Sequence, residues 1–491
     1  MIPRPLFGLE TEYGYSILGT ERPLDQLPGA GEALFRAVKA SQPCLRDGQR
    51  GVFLGNGGRF YVDIGCHPEM CTPECDDPLD VVRQAAAMDR ILEQALPGAG
   101  AMFPRGLVPY LYTTNTDRGT HTWGSHESYL HDTDPSRFKA GLVPHLVTRI
   151  LYTGAGGFEH GRTEVNFVIS PRALRLQHLE SCDSTRERGI LHGRQESLAR
   201  GGFQRLHLIC GESLRSQLAT WLRFGTTALV VHLISCGKTM EDGIQLSSPV
   251  DDMHALSRTA DPRTRLSRVG AEAVTALEVQ RRTCAFVQDH LSTGLLPPWA
   301  WDICSCWEKI LDALERDDPV LDGMLDWRLK RCLLADHLTE RGLLAESFGL
   351  CPSKTGQDAK LLPQSGMTAK AREEVREELH TLDVRFGELG GESIFSELDR
   401  CSALGHRLVT EEEILTAMKQ PPLTTRAHHR GAAVRELAAR KAPRPGIARW
   451  QGVHDQAGRF LDLGDPFGRG AVWREGSGTD PDLEAILEVR I

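Results

Sequence analysis

Residues 5–16 read Pro5-Leu6-Phe7-Gly8-Leu9-Glu10-Thr11-Glu12-Tyr13-Gly14-Tyr15-Ser16, an alternation that predicts a β-strand with Glu10 and Glu12 on one face. A second stretch, Gly51 to Ile64, reads as one further strand. On it Arg59, Tyr61 and Asp63 share one face while Phe60, Val62 and Ile64 share the other. The apolar stripe packs, and the polar stripe is left for chemistry. Glu10, Glu12 and Glu69, with Tyr61 and Asp63 near in sequence, offer the hard oxygen ligands that magnesium takes when it also keeps phosphate oxygens. Gathering carboxylates is costly without a cation. The plainer reading is that Glu10 and Glu12 form the solvent face of an edge strand. Arg59 fits either a nucleotide phosphate or an ordinary ion pair.

Outward from these strands, a short helical pattern spans Glu32 to Lys39, and Asp77-Pro78 opens a helix to about Leu96, with Asp77 as N-cap and Pro78 in the first turn. Further helices are expected over Ser213–Ser235, Ala271–Leu291, Trp299–Arg316, Leu325–His337 and Ala369–Thr381, with strands around 107–130 and 162–170. The polar Gly/Ser/Lys-bearing stretch at 352–372 reads as an exposed loop. From about Leu398 a smaller module follows, in which Thr410-Glu411-Glu412-Glu413 has the capping-box pattern.

The chain has 491 residues, too long for one ordinary core, so a large domain at 1–397 and a smaller one at 398–491 are expected. Its net charge of −9 supplies no global field for nucleic acid or an acidic membrane surface. Met1-Ile2-Pro3-Arg4-Pro5 lacks the order of a secretory signal, and the apolar run Ala228–Ile234 is too short to span a bilayer, so a cytoplasmic protein is expected. The 13 cysteines are odd in number and dispersed, which points to reduced thiols. Cys66, His67, Cys71 and Cys75 cluster, but not at zinc-ribbon or zinc-finger spacing.

Gly8-Leu9-Glu10-Thr11-Glu12-Tyr13-Gly14, Asn56-Gly57-Gly58-Arg59-Phe60-Tyr61-Val62-Asp63, His67-Pro68-Glu69 and Thr72-Pro73-Glu74-Cys75-Asp76 together resemble the motifs of the Pup ligase and Pup deamidase (depupylase) family, within the glutamine-synthetase-like carboxylate-amine ligases. The likeness continues through Asn115-Thr116-Asp117, Gly124-Ser125-His126-Glu127-Ser128-Tyr129-Leu130, Gly154-Ala155-Gly156, Leu325-Asp326-Trp327 and, in the C-terminal module, Thr424-Thr425-Arg426-Ala427 and Asp455-Gln456-Ala457. The resemblance implies an α+β fold: a curved, largely antiparallel sheet backed by helices, with a small C-terminal module. It implies ATP and Mg2+ as cofactors, with Glu10, Tyr61 and Glu69 as magnesium ligands, Arg59, Thr72 and Trp450 as ATP contacts, and Asp63 as the catalytic carboxylate. Glu12, Asn115, His126 and Glu127 fall in motifs near that site and are candidates to complete the metal or phosphate shell; for His126 a structural role stands beside this.

By the same resemblance the partners are a small Pup-like protein modifier and lysine-bearing targets, while the net charge and the lack of a spanning run point to no nucleic acid and no membrane. The modified targets would go to proteasomal degradation. ATP would convert a carboxylate to an acyl phosphate, and Asp63 would take the proton of the attacking lysine. The alternatives are a hydrolytic relative that uses Asp63 as nucleophile, and an inactive ATP-binding homologue. Only about thirty-five residues lie between the first motif strand and the strand that bears Asp63, without the long loop of the hydrolytic enzymes, and Asp465-Pro466-Phe467 is ligase-like. One departure affects substrate recognition. Where the family has Arg-Asp-Glu-Pro-His-Ala-Asp, this chain has Arg194-Gln195-Glu196-Ser197-Leu198-Ala199-Arg200, and Arg186, Arg188, Arg194 and Arg200 are candidates for a basic patch.

Overall fold

The antiparallel strands β1 (Phe7–Glu12), β6 (Pro68–Cys71) and β5 (Arg59–Val62) lie side by side, the pairing on which the rest of their unit is built. The computed structural model describes residues 2–20, 29–63, 67–117, 121–159, 164–183, 186–193, 198–240, 243–350, 361–401, 404–440 and 445–475. The chain forms two compact units, one of residues 6–111, 195–205 and 409–491, the other of residues 1–5, 112–194 and 206–408.

In the first unit the strand order runs β1, β6, β5, β4 (Gly51–Leu54) and β3 (Cys44–Arg46), then the strands Gly446–Arg449, Gly452–Asp455, Arg459–Asp462 and Trp473–Glu475. All these pairings are antiparallel except that of β3 with Gly446–Arg449. The expected single strand from Gly51 to Ile64 is in fact a hairpin, because Asn56-Gly57-Gly58 turns the chain. Gly57 has φ +81°, and the Asn56 side chain accepts from the Gly58 N–H at 3.1 Å. The helix α1 (Ala30–Ser41) packs with α2 (Pro78–Gly100). Asp77 accepts from Leu79 N–H, as its sequence position predicts, and α2 runs past Leu96 through Pro97. Phe35 of α1 stacks on Phe60 with ring centroids 6.0 Å apart. Phe60 pairs with Met70, and Met70 with Thr11, so one buried row crosses three strands. The C-terminal helix Arg426–Ala439 packs Ala433, Val434 and Leu437 against Leu45, Phe53, Ala448, Val453 and Leu461.

In the second unit, helices at Gln217–Ser235, Ala276–Gln288, Ala300–Glu315 and Asp326–Glu340 match the expected segments. Ser216 and Thr275 cap the first two, so both begin four to five residues later than expected. The helix Ala369–Phe386 extends five residues past Thr381. Of the strands expected around 107–130, Val108–Tyr112 falls almost wholly in the first unit and Ser125–His131 in the second, and among the described residues of 162–170 Asn166–Val168 form a strand. Of the loop expected at 352–372, residues 352–360 lie outside the described residues. Gln217–Ser235, long and apolar enough to cross a membrane, has 89% of its apolar window buried within the fold. The described cysteines are free thiols. Cys66 of the cysteine cluster lies outside the described residues, while Cys71 and Cys75 are buried.

The core of this unit contains a fully desolvated ion pair. Arg149 grips Glu127 with two parallel bonds, Nη1 to Oε2 at 2.8 Å and Nη2 to Oε1 at 2.5 Å, and the Tyr129 hydroxyl donates to the same carboxylate at 2.6 Å. Burial opposes the Glu127 charge, but Arg149 and Arg223 outweigh it and hold its carboxyl below the usual range. Removing one partner leaves the other buried and uncompensated. Arg149→Met is therefore expected to lower the unfolding free energy by about 3–5 kcal/mol. The double replacement with Glu127→Gln should cost less than the sum of the single changes, both read from urea unfolding curves.

Candidate active site

The register of β1, β6 and β5 brings the candidate ligands into two adjacent rows. Glu10 pairs with Cys71, and Cys71 with Arg59; two residues along, Glu12 pairs with Glu69, and Glu69 with Tyr61. Directly paired residues project from the same face, so Glu10, Glu12, Glu69, Tyr61 and Arg59 line one face, opposite the buried Thr11–Met70–Phe60 row. The Tyr61 hydroxyl lies 2.5 Å from Glu10 Oε1 and also contacts Glu69 Oε2. A phenol has one proton, so these three oxygens need a further proton or a cation between them. Burial pushes the Glu69 carboxyl up to about 9, and the charges of Glu10, Glu12 and Asp63 add to the effect. Burial and the two carboxylates likewise raise the Tyr61 phenol. The donor set is the all-oxygen kind that holds a magnesium ion, and a cation there would relieve the repulsion that raises Glu69.

Asp63 follows Tyr61 by two residues at the end of β5. Its Oδ1 accepts from the His67 N–H at 2.7 Å, its Oδ2 lies 3.5 Å from His67 Nδ1, and its side chain is 34% exposed. The carboxylate is thus oriented and still accessible. Arg59 is held by a residue that strand alternation gave no reason to single out. Asp47 Oδ2 accepts from Arg59 Nε at 2.9 Å and from Nη2 at 2.6 Å, while Asp47 Oδ1 accepts from the Gln49 and Gly51 backbone. The guanidinium also lies 4.2 Å from the Tyr61 ring centroid. Thr72 is buried, and its hydroxyl accepts from the Leu9 N–H at 3.0 Å, fastening the chain after β6 to β1.

Trp450 sits between the strands Gly446–Arg449 and Gly452–Asp455, and its ring meets Phe53 edge-on at 5.0 Å. Below it lies a cluster whose partners are hundreds of residues apart. Glu74 accepts from Arg426 Nε at 2.6 Å and pairs with Arg430, and the Arg426 Nη1 reaches the Leu463 carbonyl at 3.0 Å. Of the remaining candidates, Glu127 is bound to Arg149 and Tyr129, so its carboxylate serves the core of its unit. Asn115 exchanges two bonds with the Ser213 backbone. The His126 ring meets His207 at 5.3 Å, and His207 meets His192 at 5.1 Å. Arg194 to Ser197 lie outside the described residues, whereas Arg200 bonds to Asp462 at 2.8 Å and to the Gly464 carbonyl at 2.9 Å.

The Glu74 cluster sets a pH dependence of its own. Burial pushes the Glu74 carboxyl up, but Arg430 and Arg426 overcome this and lower it to about 2. A carboxyl lower in the folded chain than in the unfolded one stabilises the fold at pH values above its ordinary value, and the stabilisation is lost as the pH falls through the folded value. Glu74→Gln is expected to be the less stable protein near neutral pH. Its deficit relative to the wild type should shrink as the pH falls from about 4.5 toward about 2, read by denaturant unfolding across that range.

The Pup-ligase protein family model matches residues 5–350 and 359–454. The chain is 31% identical to Pup--protein ligase 1 of Rhodococcus erythropolis over 476 residues, 94% of this chain and 96% of that one. It has the same identity and coverage with the Pup--protein ligase of Mycobacteroides abscessus. Among solved structures it resembles the ligase PafA in complex with the prokaryotic ubiquitin-like protein Pup, with a TM-score of 0.78, 24% identity and coverage of 99% of this chain and 92% of that one. It also resembles PafA in complex with ADP, with a TM-score of 0.72, 25% identity and coverage of 96% of both chains.

Proposed function

Because the chain belongs to the Pup-ligase protein family, we propose that it is an ATP- and magnesium-dependent carboxylate-amine ligase that joins the side-chain carboxylate of a C-terminal Glu on a Pup-like modifier to target lysines. The observation that carries this reading is the convergence of Glu10, Tyr61 and Glu69 on one face, with the accessible Asp63 at its end. Glu10, Tyr61 and Glu69 would hold magnesium, which when bound neutralises phosphate charge during transfer to the carboxylate. Arg59, Thr72 and Trp450 are the proposed nucleotide contacts, with residues 398–491 as the module that supplies Trp450. Arg59 enters with its guanidinium already oriented by Asp47, and Thr72 with its hydroxyl held by the Leu9 N–H and its own N–H by the Leu9 carbonyl.

A carboxylate does not react with an amine directly, because its leaving group would be an oxide. The acyl phosphate formed with ATP supplies phosphate as leaving group. A lysine ammonium has no free lone pair, so it attacks only after losing a proton. Asp63 is the base for that proton, and the His67 N–H fixes its orientation through Oδ1. The products are the isopeptide, ADP and phosphate. The work is cytoplasmic, and the conjugates it makes are destined for a proteasome.

Glu10→Ala and Glu69→Ala should each weaken magnesium-dependent ATP binding and leave the chain folded, since each removes a ligand and also a repelling charge. Titration calorimetry with and without magnesium reads this, and undiminished binding in both variants would reject the metal assignment. Asp63→Asn keeps the shape of the site but cannot accept a proton. Its expected phenotype is retained ATP binding with conjugate formation slowed roughly a hundredfold or more. The assay combines a Glu-ended modifier, a lysine-bearing target and magnesium-ATP, and follows conjugate and ADP together. Rapid release of modifier from preformed conjugate, without ATP turnover, would assign the wild type to the hydrolytic branch instead.

A further inference from the structure

The three proposed nucleotide contacts come from three places in the chain, Arg59, Thr72 and Trp450, and one buried side chain touches the immediate surroundings of all three. Arg430, on the helix Arg426–Ala439, has 0% side-chain exposure. Its Nε and Nη2 both donate to the Gly57 carbonyl, at 3.0 and 2.9 Å, two residues before Arg59. It pairs with Glu74, two residues after Thr72. Its Nη1 lies 3.4 Å from the Trp450 carbonyl, and its guanidinium carbon lies 4.7 Å from the Trp450 ring centroid and 5.1 Å from that of Phe53. Phe53 is itself the cross-strand partner of Arg59. The turn that presents the Gly57 carbonyl has little room to adjust, because Gly57 is at φ +81° and a Cβ there would stand 3.0 Å from the Ala427 carbonyl oxygen.

We infer that Arg430 is a positioning residue for nucleotide binding: its planar fork sets the Trp450 ring, the turn leading to Arg59 and the segment following Thr72 in one fixed geometry. The inference rests on the nucleotide reading of those three residues. A plain structural cation would need only to neutralise Glu74, which any buried positive charge satisfies. The observed arrangement uses what distinguishes arginine from lysine: two donors on one carbonyl, with further donors to Glu74, on a guanidinium that lies over two aromatic rings. Lysine in its place keeps the charge and loses the fork.

The test is therefore Arg430→Lys, with ATP affinity measured by titration calorimetry in saturating magnesium, and KM for ATP and kcat measured in the conjugation assay. Folding is followed separately by thermal unfolding. The expected result is ATP affinity weakened and KM raised by about tenfold, with kcat at saturating ATP near that of the wild type. In a Trp450→Ala background the same change should have less than half its effect on ATP affinity, because the ring it positions is gone. Phe53→Leu serves as a second variant should Arg430→Lys not fold. It keeps the core apolar but removes the edge contact on Trp450, and should weaken ATP affinity in the same direction. Unchanged ATP affinity in the folded variant, with only the melting temperature lowered, would overturn the inference, as would full additivity with Trp450→Ala. Absence of ATP binding in the wild type would overturn it together with the nucleotide reading beneath it.

Discussion

The crowding of Glu10, Glu69 and Tyr61 around one point is the constraint from which the site's other features follow. Three buried or half-buried oxygens share a single phenolic proton. The register of β1, β6 and β5 enforces the arrangement, and slipping any one strand by a residue would turn its polar side chains into the Phe60–Met70 core. A face of this kind is costly to maintain without a cation to offset the crowded charge.

The fold uses buried charge in two different ways, one in each unit. Arg149 and Glu127 form a closed pair, with Tyr129 completing the carboxylate's bonds, and they serve their own unit. Arg430, Arg426 and Glu74 form an open cluster, whose remaining donors go out to the Gly57, Trp450 and Leu463 carbonyls. The closed pair contributes local order. The open cluster fixes where distant segments of one unit lie with respect to each other.

Alternation in residues 5–16 and 59–63 was enough to place Glu10 and Glu12 on one face of β1 and Arg59 and Tyr61 on one face of β5, because strand geometry leaves the side chains no other option. The pairing of both strands with β6, which makes the two faces one, is not written in alternation. Nor was alternation enough to see the turn at Asn56-Gly57-Gly58 that divides Gly51–Ile64 into a hairpin, although a Gly-Gly pair beside Asn was the available signal. The helix starts at Ser216 and Thr275 were set by caps lying inside the expected segments. Asp47 escaped notice because its link to Arg59 depends on β3 and β4 folding back, and Arg430 because its partners are separated from it by most of the chain. Glu127, in a motif beside the site, turned out to be bound within the core, a role that sequence proximity cannot distinguish from ligation.

The unit holding these residues is closed by segments from both ends of the chain, since β3 pairs with Gly446–Arg449 and Glu74 with Arg430. Glu74 and Arg430 are 356 positions apart. At ordinary translation speeds Glu74 leaves the ribosome about 20–70 s before its partner exists. For that interval β3 has no neighbour on one side, and its exposed edge is open to pairing with other chains. The order of synthesis thus leaves that edge of β3 uncovered until Gly446–Arg449 has been made.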